Sequence, residues 1–183
     1  MALIGEGNVL PIIDDSNPLL RQVSVAVSDE DRSSTEFHQL VQDMVATMYA
    51  APGIGLAAPQ VGVLKRVICF YLPATRDDVD GRGVPLTIVV NPSYEVLDDT
   101  QLLDFEGCLS VPGMRGKVRR ARKIRYAGLS EHGTPIDVVA EGWHARLFQH
   151  EFDHLNGILY PTLLAEEDAL MTLEEYNAAM KRS

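Results

Sequence analysis

Two histidines spaced by four residues, His150 and His154, stand out in this chain, with Glu151 directly after the first. Positions four apart lie on one face of an α-helix, so both imidazoles can bind one metal ion while the carboxylate reaches a water molecule beside it. The pattern is typical of hydrolytic metal sites, although such a pair can equally lie on a solvated helix face or pack in a core. A catalytic zinc-type site takes three protein ligands and leaves one position open, so a third ligand is required.

Cys108 is the best candidate for the third ligand. It lies in the stretch Glu106 to Ser110, flanked by glycine and turn residues, which suits a ligand or a nucleophile better than a core cysteine. A cysteine nucleophile would need a histidine base, which either histidine of the pair can supply, so a cysteine hydrolase is an alternative. Cys69 lies inside an apolar run, and we expect it to be a small core residue.

A stretch of small residues from Gly53 to Gly62 contains one polar side chain, Gln60. Small residues at this density let the backbone approach another element or a ligand closely. A phosphate-binding loop is disfavoured because the stretch lacks the Gly-Lys-Ser/Thr ending and a preceding strand. For Gln60, hydrogen bonding to the backbone of its own loop is the alternative to a functional role.

Apolar periodicity predicts the helices that position these residues. The helix carrying His150 has apolar residues at spacings of three and four, with Gly157 as its C-terminal stop. A second helix is predicted over residues 34–49, after a capping box formed by Ser33 and Glu36. A final short helix is predicted after Thr172, which forms a capping box with the glutamate three residues later.

Apolar and β-branched runs predict strands around the metal helix. These are a buried strand over 67–72, strands over 86–92 and 93–97 that are broken at Asn91-Pro92 and pair antiparallel, and a hairpin of 123–129 with 135–140. Alternating valines over 23–27 predict an edge strand or an extended arm. The fold class is therefore α+β, with antiparallel β-sheets around a central metal-binding helix and the first helix packed outside.

Composition sets limits on the class of protein. With 183 residues and 46% hydrophobic content, we expect a single catalytic domain over residues 1–183, with 1–10 and 166–183 as peripheral termini. No apolar run has the length of a membrane span, residues 1–15 lack a signal pattern, and two cysteines exclude a disulfide scaffold. A net charge of -10 argues against broad nucleic-acid binding, and the basic cluster over 115–125 is expected to be divided between salt bridges and surface.

Three stretches, in this order, resemble the peptide deformylase family. They fill every fixed position of its Gly-x-Gly-x-Ala-Ala-x-Gln, Glu-Gly-Cys-Leu-Ser and Gln-His-Glu-x-x-His-Leu patterns, at Gly53 to Gln60, Glu106 to Ser110 and Gln149 to Leu155. The resemblance extends from about Pro11 to Tyr160. The flanking residues 110–116 and 142–146 are similar to a branch with bacterial and organellar members.

The resemblance implies removal of the formyl group from an N-formylmethionyl peptide or nascent chain, giving formate and a free amino terminus. One divalent metal ion per chain would be bound by Cys108, His150 and His154: ferrous iron in the cell, with zinc, nickel or cobalt able to substitute. Glu151 would accept the proton of the attacking water. The Gln60 amide and the Leu109 backbone N–H would donate to the developing oxyanion.

The resemblance also implies a peptide-binding surface and a supporting network of hydrogen bonds. The loop of Gly53, Ile54 and Gly55 would pair with the extended substrate backbone. The methionine pocket would use Ile54, Trp143 and Leu147, with core packing as the alternative for the last two. Arg115 would lie at the pocket mouth, Arg120 would pair with Asp153 behind the site, and Glu106 would hold a supporting hydrogen bond.

The C-terminal region departs from family members that end in a long basic helix. Acidic residues outnumber Lys181 and Arg182 here, namely Glu166, Glu167, Asp168, Glu174 and Glu175. We therefore expect any transient ribosome contact to be made without a basic C-terminal helix, and we expect no membrane partner and no specific nucleic-acid binding. The expected compartment is the cytoplasm, of bacterial type, with an organellar mature form also compatible.

Two other functions compete with this interpretation. An H-E-x-x-H metallopeptidase would take its third ligand downstream of the helix, whereas the candidate here is a cysteine well upstream. A non-catalytic metal-binding module would need a closed site with four ligands, and the sequence offers no natural fourth ligand.

Overall fold

Four α-helices and six strands make up the part of the chain that the computed structural model describes, residues 7–76, 79–166 and 170–181. The helices are α1 (Asp29–Arg32), α2 (Thr35–Ala50), α3 (Gly142–Leu155) and α4 (Leu173–Met180). The strands are β1 (Gly55–Ala57), β2 (Val67–Leu72), β3 (Val84–Cys108), β4 (Val111–Leu129), β5 (Pro135–Glu141) and β6 (Leu170–Thr172). The expectations for residues 1–6 and for Glu167, Asp168 and Arg182 lie outside the described residues. No helix among the described residues is long and apolar enough to cross a membrane.

The strands form one antiparallel sheet in the order β1-β2-β3-β4-β5, with β6 paired to β4. Strands β3 and β4 form a long hairpin. Cys108 pairs with Val111, so a two-residue turn closes the tip. The predicted hairpin before the metal helix is confirmed, since β5 pairs with β4 from Leu129 opposite Pro135 onward. The α+β class is confirmed, and the strands join in a single connected sheet.

The two long helices pack on opposite faces of this sheet. Ile68 and Phe70 of β2 lie in the core cluster that contains Phe148 of α3. Cys69, between them, lies in the second cluster with Met48 of α2. Because β2 is buried on both faces, it reads as a continuous apolar run rather than as an alternating one. The outer position of α2 and the core role of Cys69 are therefore confirmed.

Aromatic side chains attach α3 to the sheet. The ring of Phe148 stacks on Tyr126 of β4 at a centroid distance of 4.2 Å, and it meets Phe70 and Tyr94 edge to face. Offset stacking and edge-to-face pairs are the arrangements that the ring quadrupoles favour. The helix that carries the histidine pair is thus fixed against three neighbouring strands.

The N-cap of α2 differs from the prediction. Ser34, rather than Ser33, caps the helix, and its Oγ accepts a hydrogen bond from the Phe37 N–H at 3.1 Å. Ser33 is already used as the C-cap residue of α1, a short helix that the apolar pattern does not reveal. The predicted capping box at Thr172 is confirmed at the start of α4.

The predicted break at Asn91-Pro92 is wrong. Residues 86–92 and 93–97 do not pair with each other but belong to one strand, β3, whose register against β4 shifts between Val90 and Ser93. Asn91 adopts a φ of 51°, a region that asparagine tolerates better than most residues. Its side chain accepts from the Val27 N–H at 2.8 Å and donates to the Val27 carbonyl at 2.9 Å, which stabilises the irregularity within the strand.

Residues 12–25 form an N-terminal arm that contains a 3₁₀ turn at Pro18–Arg21, and its alternating valines lie in the extended part, as predicted. The Ile13 N–H donates to the Gln60 carbonyl at 2.9 Å, and the Asp15 N–H donates to the Ser110 carbonyl at 2.8 Å. Further on, the Ser24 N–H donates to the Leu155 carbonyl, and Val25 forms an isolated parallel bridge with Lys65. The arm thereby connects segments that are far apart in sequence.

Candidate active site

The candidate metal ligands come together from two elements. His150 and His154 lie four residues apart on α3, and Cys108 ends β3 at the tip of the long hairpin. The ligand atoms of the three residues all lie within 4.8 Å of one another. The Sγ of Cys108 lies 3.3 Å from Nε2 of His154. The hairpin therefore brings the thiol to the face of the helix that presents both imidazoles.

The charges around Cys108 favour its thiolate form. Burial alone would raise the pKa of the thiol, but the charge of His154 and hydrogen bonds with both histidines lower it to about 5. Conversely, despite burial, hydrogen bonds with Cys108 and Glu106 raise the pKa of His150 well above its usual value. A thiolate is the form in which cysteine binds metals, so these charges suit Cys108 to a ligand role.

The donor set fits a divalent metal ion. One thiolate and two imidazoles are ligands of catalytic zinc and ferrous sites with an open position. Nδ1 of His150 lies 2.9 Å from Oε2 of Glu106, which leaves Nε2 as the ring nitrogen for a metal. Nε2 of His154 is the ring nitrogen that faces Sγ of Cys108, and beside the three ligands Oε2 of Glu151 is buried without a hydrogen-bond partner among the described residues. A buried carboxyl oxygen of this kind is expected where a bound group completes the site.

Glu106 is the centre of a buried network behind His150. Arg120 donates to both carboxylate oxygens at 2.9 Å, and Arg146 donates to Oε1 at 2.8 Å. Arg120 also donates to Oδ2 of Asp153 on α3 at 2.5 Å. Burial opposes ionisation of Glu106, but the bonds from Arg120 and His150 hold the pKa of Glu106 well below its usual range. The carboxylate is thus charged and fully engaged, and it orients the imidazole of His150.

Glu151 occupies a different environment from Glu106. Its side chain is 3% exposed and packs against Gly55 of β1, where a Cβ would overlap Oε1 of the carboxylate. Burial raises the pKa of Glu151 to about 7, although the charges of His150 and His154 oppose the shift. A carboxyl group with a pKa near neutrality can both accept and donate a proton at physiological pH.

The Gln60 amide is fixed in one orientation. Its Oε1 accepts from the Ala57 N–H at 2.9 Å, so its Nε2 points toward the thiol and lies 3.5 Å from Sγ of Cys108. Nε2 also donates to Oγ of Ser110 at 3.1 Å. Gln60 therefore bonds to the backbone of its own loop with one atom and faces the site with the other.

A cleft of about 710 Å³ opens over these residues. The predicted residues in its lining are Gly53, Ile54, Gly55, Gln60, Glu106, Cys108, Leu109, Arg115, Trp143, Leu147, His150 and Glu151. His154, Arg120 and Asp153 do not line the cleft. Leu147 belongs to the core cluster beneath the sheet and Trp143 packs against it, so both residues combine core packing with a place in the cleft wall.

Several lining residues were not predicted from the sequence. They are Pro52, Thr75, Arg76, Asp104, Phe105, Gly107, Arg146, Leu173, Tyr176 and Asn177. Arg146 stands four residues before His150, so the same helix spacing that identifies the histidine pair could have identified it. The last three residues belong to α4, and nothing in their local pattern indicates that this helix reaches the cleft.

A thiolate and two imidazoles lie beside a buried carboxyl group at the floor of a cleft large enough for a peptide. This fold and this site together define a metal-dependent hydrolase. A family model described as polypeptide deformylase matches residues 9–169. The chain belongs to the peptide deformylase family. It is a hydrolase that removes the N-formyl group from the formylmethionine of newly made proteins, giving formate and a free amino terminus.

Relatives and solved structures agree with this assignment. Peptide deformylase 2 of Ralstonia nicotianae is 48% identical over 141 residues, which cover 77% of this chain and 80% of that protein. The Met-Ala-Ser-bound class I type b peptide deformylase of Acinetobacter baumannii has a TM-score of 0.77 and 37% identity, covering 84% of this chain and 98% of that one. The peptide deformylase of Thermotoga maritima has a TM-score of 0.76 at 30% identity, and the match covers 87% of this chain and 99% of that one.

Proposed function

We propose that this deformylase binds one divalent metal ion through Cys108, His150 and His154 and uses Glu151 to carry the proton. The observation that supports this most directly is the convergence of the three ligand atoms beside a buried carboxyl oxygen that lacks a partner among the described residues. We assign ferrous iron as the native metal because the family resemblance implies it. Zinc, nickel or cobalt can substitute, because a mixed thiolate and imidazole set accepts all of these ions.

A divalent ion held by Cys108, His150 and His154 would supply Lewis acidity, lowering the pKa of the attacking water and polarising the formyl carbonyl. Glu151 accepts a proton from the attacking water at Oε2 as the water oxygen forms a bond to the formyl carbon. The carboxyl group then delivers the proton to the amide nitrogen as the carbon–nitrogen bond breaks. The products are formate and the free amine. A pKa of about 7 for Glu151 suits both transfers near neutral pH.

The negative charge that develops on the formyl oxygen is stabilised by two donors. Nε2 of Gln60 already points into the site because its Oε1 is held by the Ala57 N–H. The backbone N–H of Leu109, in the turn directly after Cys108, is the second donor. Preorganised donors of this kind contribute about a hundredfold or more to the rate.

The substrate lies along the cleft as an extended peptide. Gly53, Ile54 and Gly55 pair with its backbone, since the absence of side chains at the glycines lets the two chains approach closely. Ile54, Trp143 and Leu147 take the methionine side chain, and Arg115 lies at the mouth of this pocket. The peptide in the Acinetobacter baumannii structure supports the same class of ligand for this chain.

The residues behind the site have a positioning role. Glu106 fixes the ring of His150, while Arg120 links that carboxylate to Asp153 on the same helix. A carboxylate that accepts a hydrogen bond from the ring nitrogen facing away from the metal fixes the tautomer and the orientation of a metal-binding histidine.

We place the enzyme in the cytoplasm of a bacterial-type cell, with an organellar mature form also compatible. It forms one catalytic domain over 1–183 with 1–10 and 166–183 as terminal segments, although α4 of the second segment reaches the cleft. Its partner is the N-formylmethionyl nascent chain. A transient ribosome contact does not use a basic C-terminal helix, because the described part of that segment carries Glu166, Glu174 and Glu175. Membranes and specific nucleic-acid sequences are not among its partners.

The test is formate release from formyl-Met-Ala-Ser by protein purified without oxygen, with Glu151→Ala measured alongside. We expect the wild type to turn over, and the variant to retain about one metal ion per chain while losing at least 10²-fold in kcat. Reloading the same protein with zinc tests the metal assignment, since the iron form is expected to be the more active. Equal turnover by wild type and variant would exclude Glu151 as the proton carrier.

A further inference from the structure

The short C-terminal helix α4 contributes to the wall of the cleft, although it lies outside the family-matched stretch. The family model ends at residue 169, and α4 begins at Leu173. Leu173, Tyr176 and Asn177 line the cleft together with Phe105 of β3. None of the α4 residues is buried, so the side chains of this helix do not belong to the hydrophobic core.

Contacts with the long hairpin fix α4 in its place. Strand β6, directly before it, pairs with β4, where Met171 lies opposite Arg115. The ring of Tyr176 meets that of Phe105 at a centroid distance of 4.9 Å and an interplanar angle of 70°, an edge-to-face pair. At its first turn, Thr172 and Glu175 form a capping box with bonds of 2.8 to 3.2 Å. The helix therefore has a defined position relative to the metal ligands.

The separation between Phe105 and the metal ligand Cys108 indicates how many residues of an extended substrate are needed to reach α4. Phe105 precedes Cys108 by three residues along β3, which corresponds to roughly 10 Å for an extended strand. An extended peptide whose formyl group lies at the metal site covers the same distance with its next two or three residues. The cleft of about 710 Å³ also exceeds what one formylated residue needs and falls in the range for larger ligands.

We propose that α4 is a specificity element of this deformylase, in which Leu173 and Tyr176 bind apolar side chains at the second and third residues of the substrate. The proposal rests on the deformylase activity described above. The leucine methyls and the rings of Tyr176 and Phe105 form an apolar surface, and the Asn177 amide can bond to a peptide carbonyl or N–H. Peptides with side chains at these positions are therefore better substrates than peptides with glycine there.

The test compares kcat/KM for formyl-Met-Leu-Phe and formyl-Met-Gly-Gly in the wild type and in the double variant Leu173→Ala/Tyr176→Ala. We expect the ratio of the two values to fall about tenfold in the double variant, mainly through a higher KM for the Leu-Phe peptide. Glu174→Ala is the matched control, because this exposed residue of the same helix does not line the cleft and should leave the ratio unchanged.

Failure of this proposal and failure of the deformylase assignment give different results. If the wild type releases formate from both peptides and the ratio is the same in the double variant, α4 has no part in specificity. If the wild type releases formate from neither peptide, the deformylase assignment itself is wrong. A ratio that falls equally in Glu174→Ala would show that any disturbance of the helix has this effect, and would overturn the roles given to Leu173 and Tyr176.

Discussion

Glu106 never touches the metal position, yet the arrangement of the site depends on it. Its two carboxylate oxygens accept from Arg120, Arg146 and His150, and its side chain is 3% exposed. Removing one partner from a buried ionic network is costly because the remaining charges keep their desolvation penalty without compensation. One carboxylate therefore links the stability of the fold to the orientation of a metal ligand.

Glu106→Gln is expected to lower the free energy of unfolding by about 3–5 kcal/mol, because the buried guanidinium of Arg146 loses its anionic partner and that of Arg120 keeps only Asp153. The same change should weaken metal binding about 10- to 100-fold, since the amide cannot hold the His150 ring as the carboxylate does. Urea denaturation and competition with a chelator measure the two effects.

The control is Asp137→Asn, which breaks the forked but exposed ion pair with Arg125 on the outer hairpin. Exposed pairs contribute little to stability, so this variant should unfold at nearly the wild-type urea concentration. Equal destabilisation by both substitutions would contradict the role assigned to Glu106.

Ser110 is fully buried, and its Oγ accepts from Nε2 of Gln60. Ser110→Ala should lower kcat about tenfold by freeing the amide, whereas Gln60→Ala should lower it about 10²-fold by removing the donor. If the serine acts only through the glutamine, the double variant is no slower than Gln60→Ala alone. Losses that multiply in the double variant would show that Ser110 acts by another route.

Strand β1 determines how closely a substrate and α3 approach each other. Gly55 pairs with Phe70 of β2 and packs against the Glu151 carboxylate, so the strand, the helix and the cleft meet at one Cα. Glycine is needed at position 55 because a Cβ would overlap the Glu151 carboxylate, and not because the backbone adopts a positive φ.

Gly55→Ala is expected to lower kcat/KM at least about 10²-fold while the metal content stays near that of the wild type, since a displaced carboxyl group disturbs proton transfer without affecting a ligand. Gly53→Ala is the comparison. Its Cβ would meet Cδ1 of Leu109, the end of a flexible side chain that can move away, so a milder loss is expected. Metal loss in Gly55→Ala would contradict this explanation.

The sequence predicted elements well where the pattern is local. The apolar spacing on α2 and α3, the run over β2 and the capping box at Thr172 each reflect neighbours within a few turns. The break at Asn91-Pro92 was wrong because the contact that stabilises the irregular strand comes from Val27, far away in sequence. For the site, short motifs predicted the residues at the floor of the cleft. The wall made by Phe105 and α4 depends on tertiary packing that no short motif encodes.

At the scale of the whole molecule, protein contacts hold together the elements that carry the metal ligands. The ligands come from β3 and α3, which the aromatic cluster around Phe148 and the Glu106 network hold together. Small zinc domains, in contrast, unfold when the metal is removed, because metal binding supplies their folding free energy.

Removal of the metal with a chelator should abolish formate release and leave the far-UV circular dichroism spectrum unchanged. The melting temperature should fall by several degrees, since a ligand that binds only the native state raises its stability by mass action. Adding ferrous iron without oxygen, or zinc, should restore activity. Loss of helical signal on chelation would show that the metal, rather than the core, holds α3 in place.

The N-terminal arm relates the folded site to the order in which the chain is made. Residues 12–25 leave the ribosome early, but their hydrogen-bond partners include Gln60, Ser110 and Leu155, the last of them in the helix that carries both histidines. Contacts between segments so distant in sequence form late and fold slowly. An enzyme that removes the formyl group from other new proteins can thus complete its own active site only after its helix α3 has been synthesised.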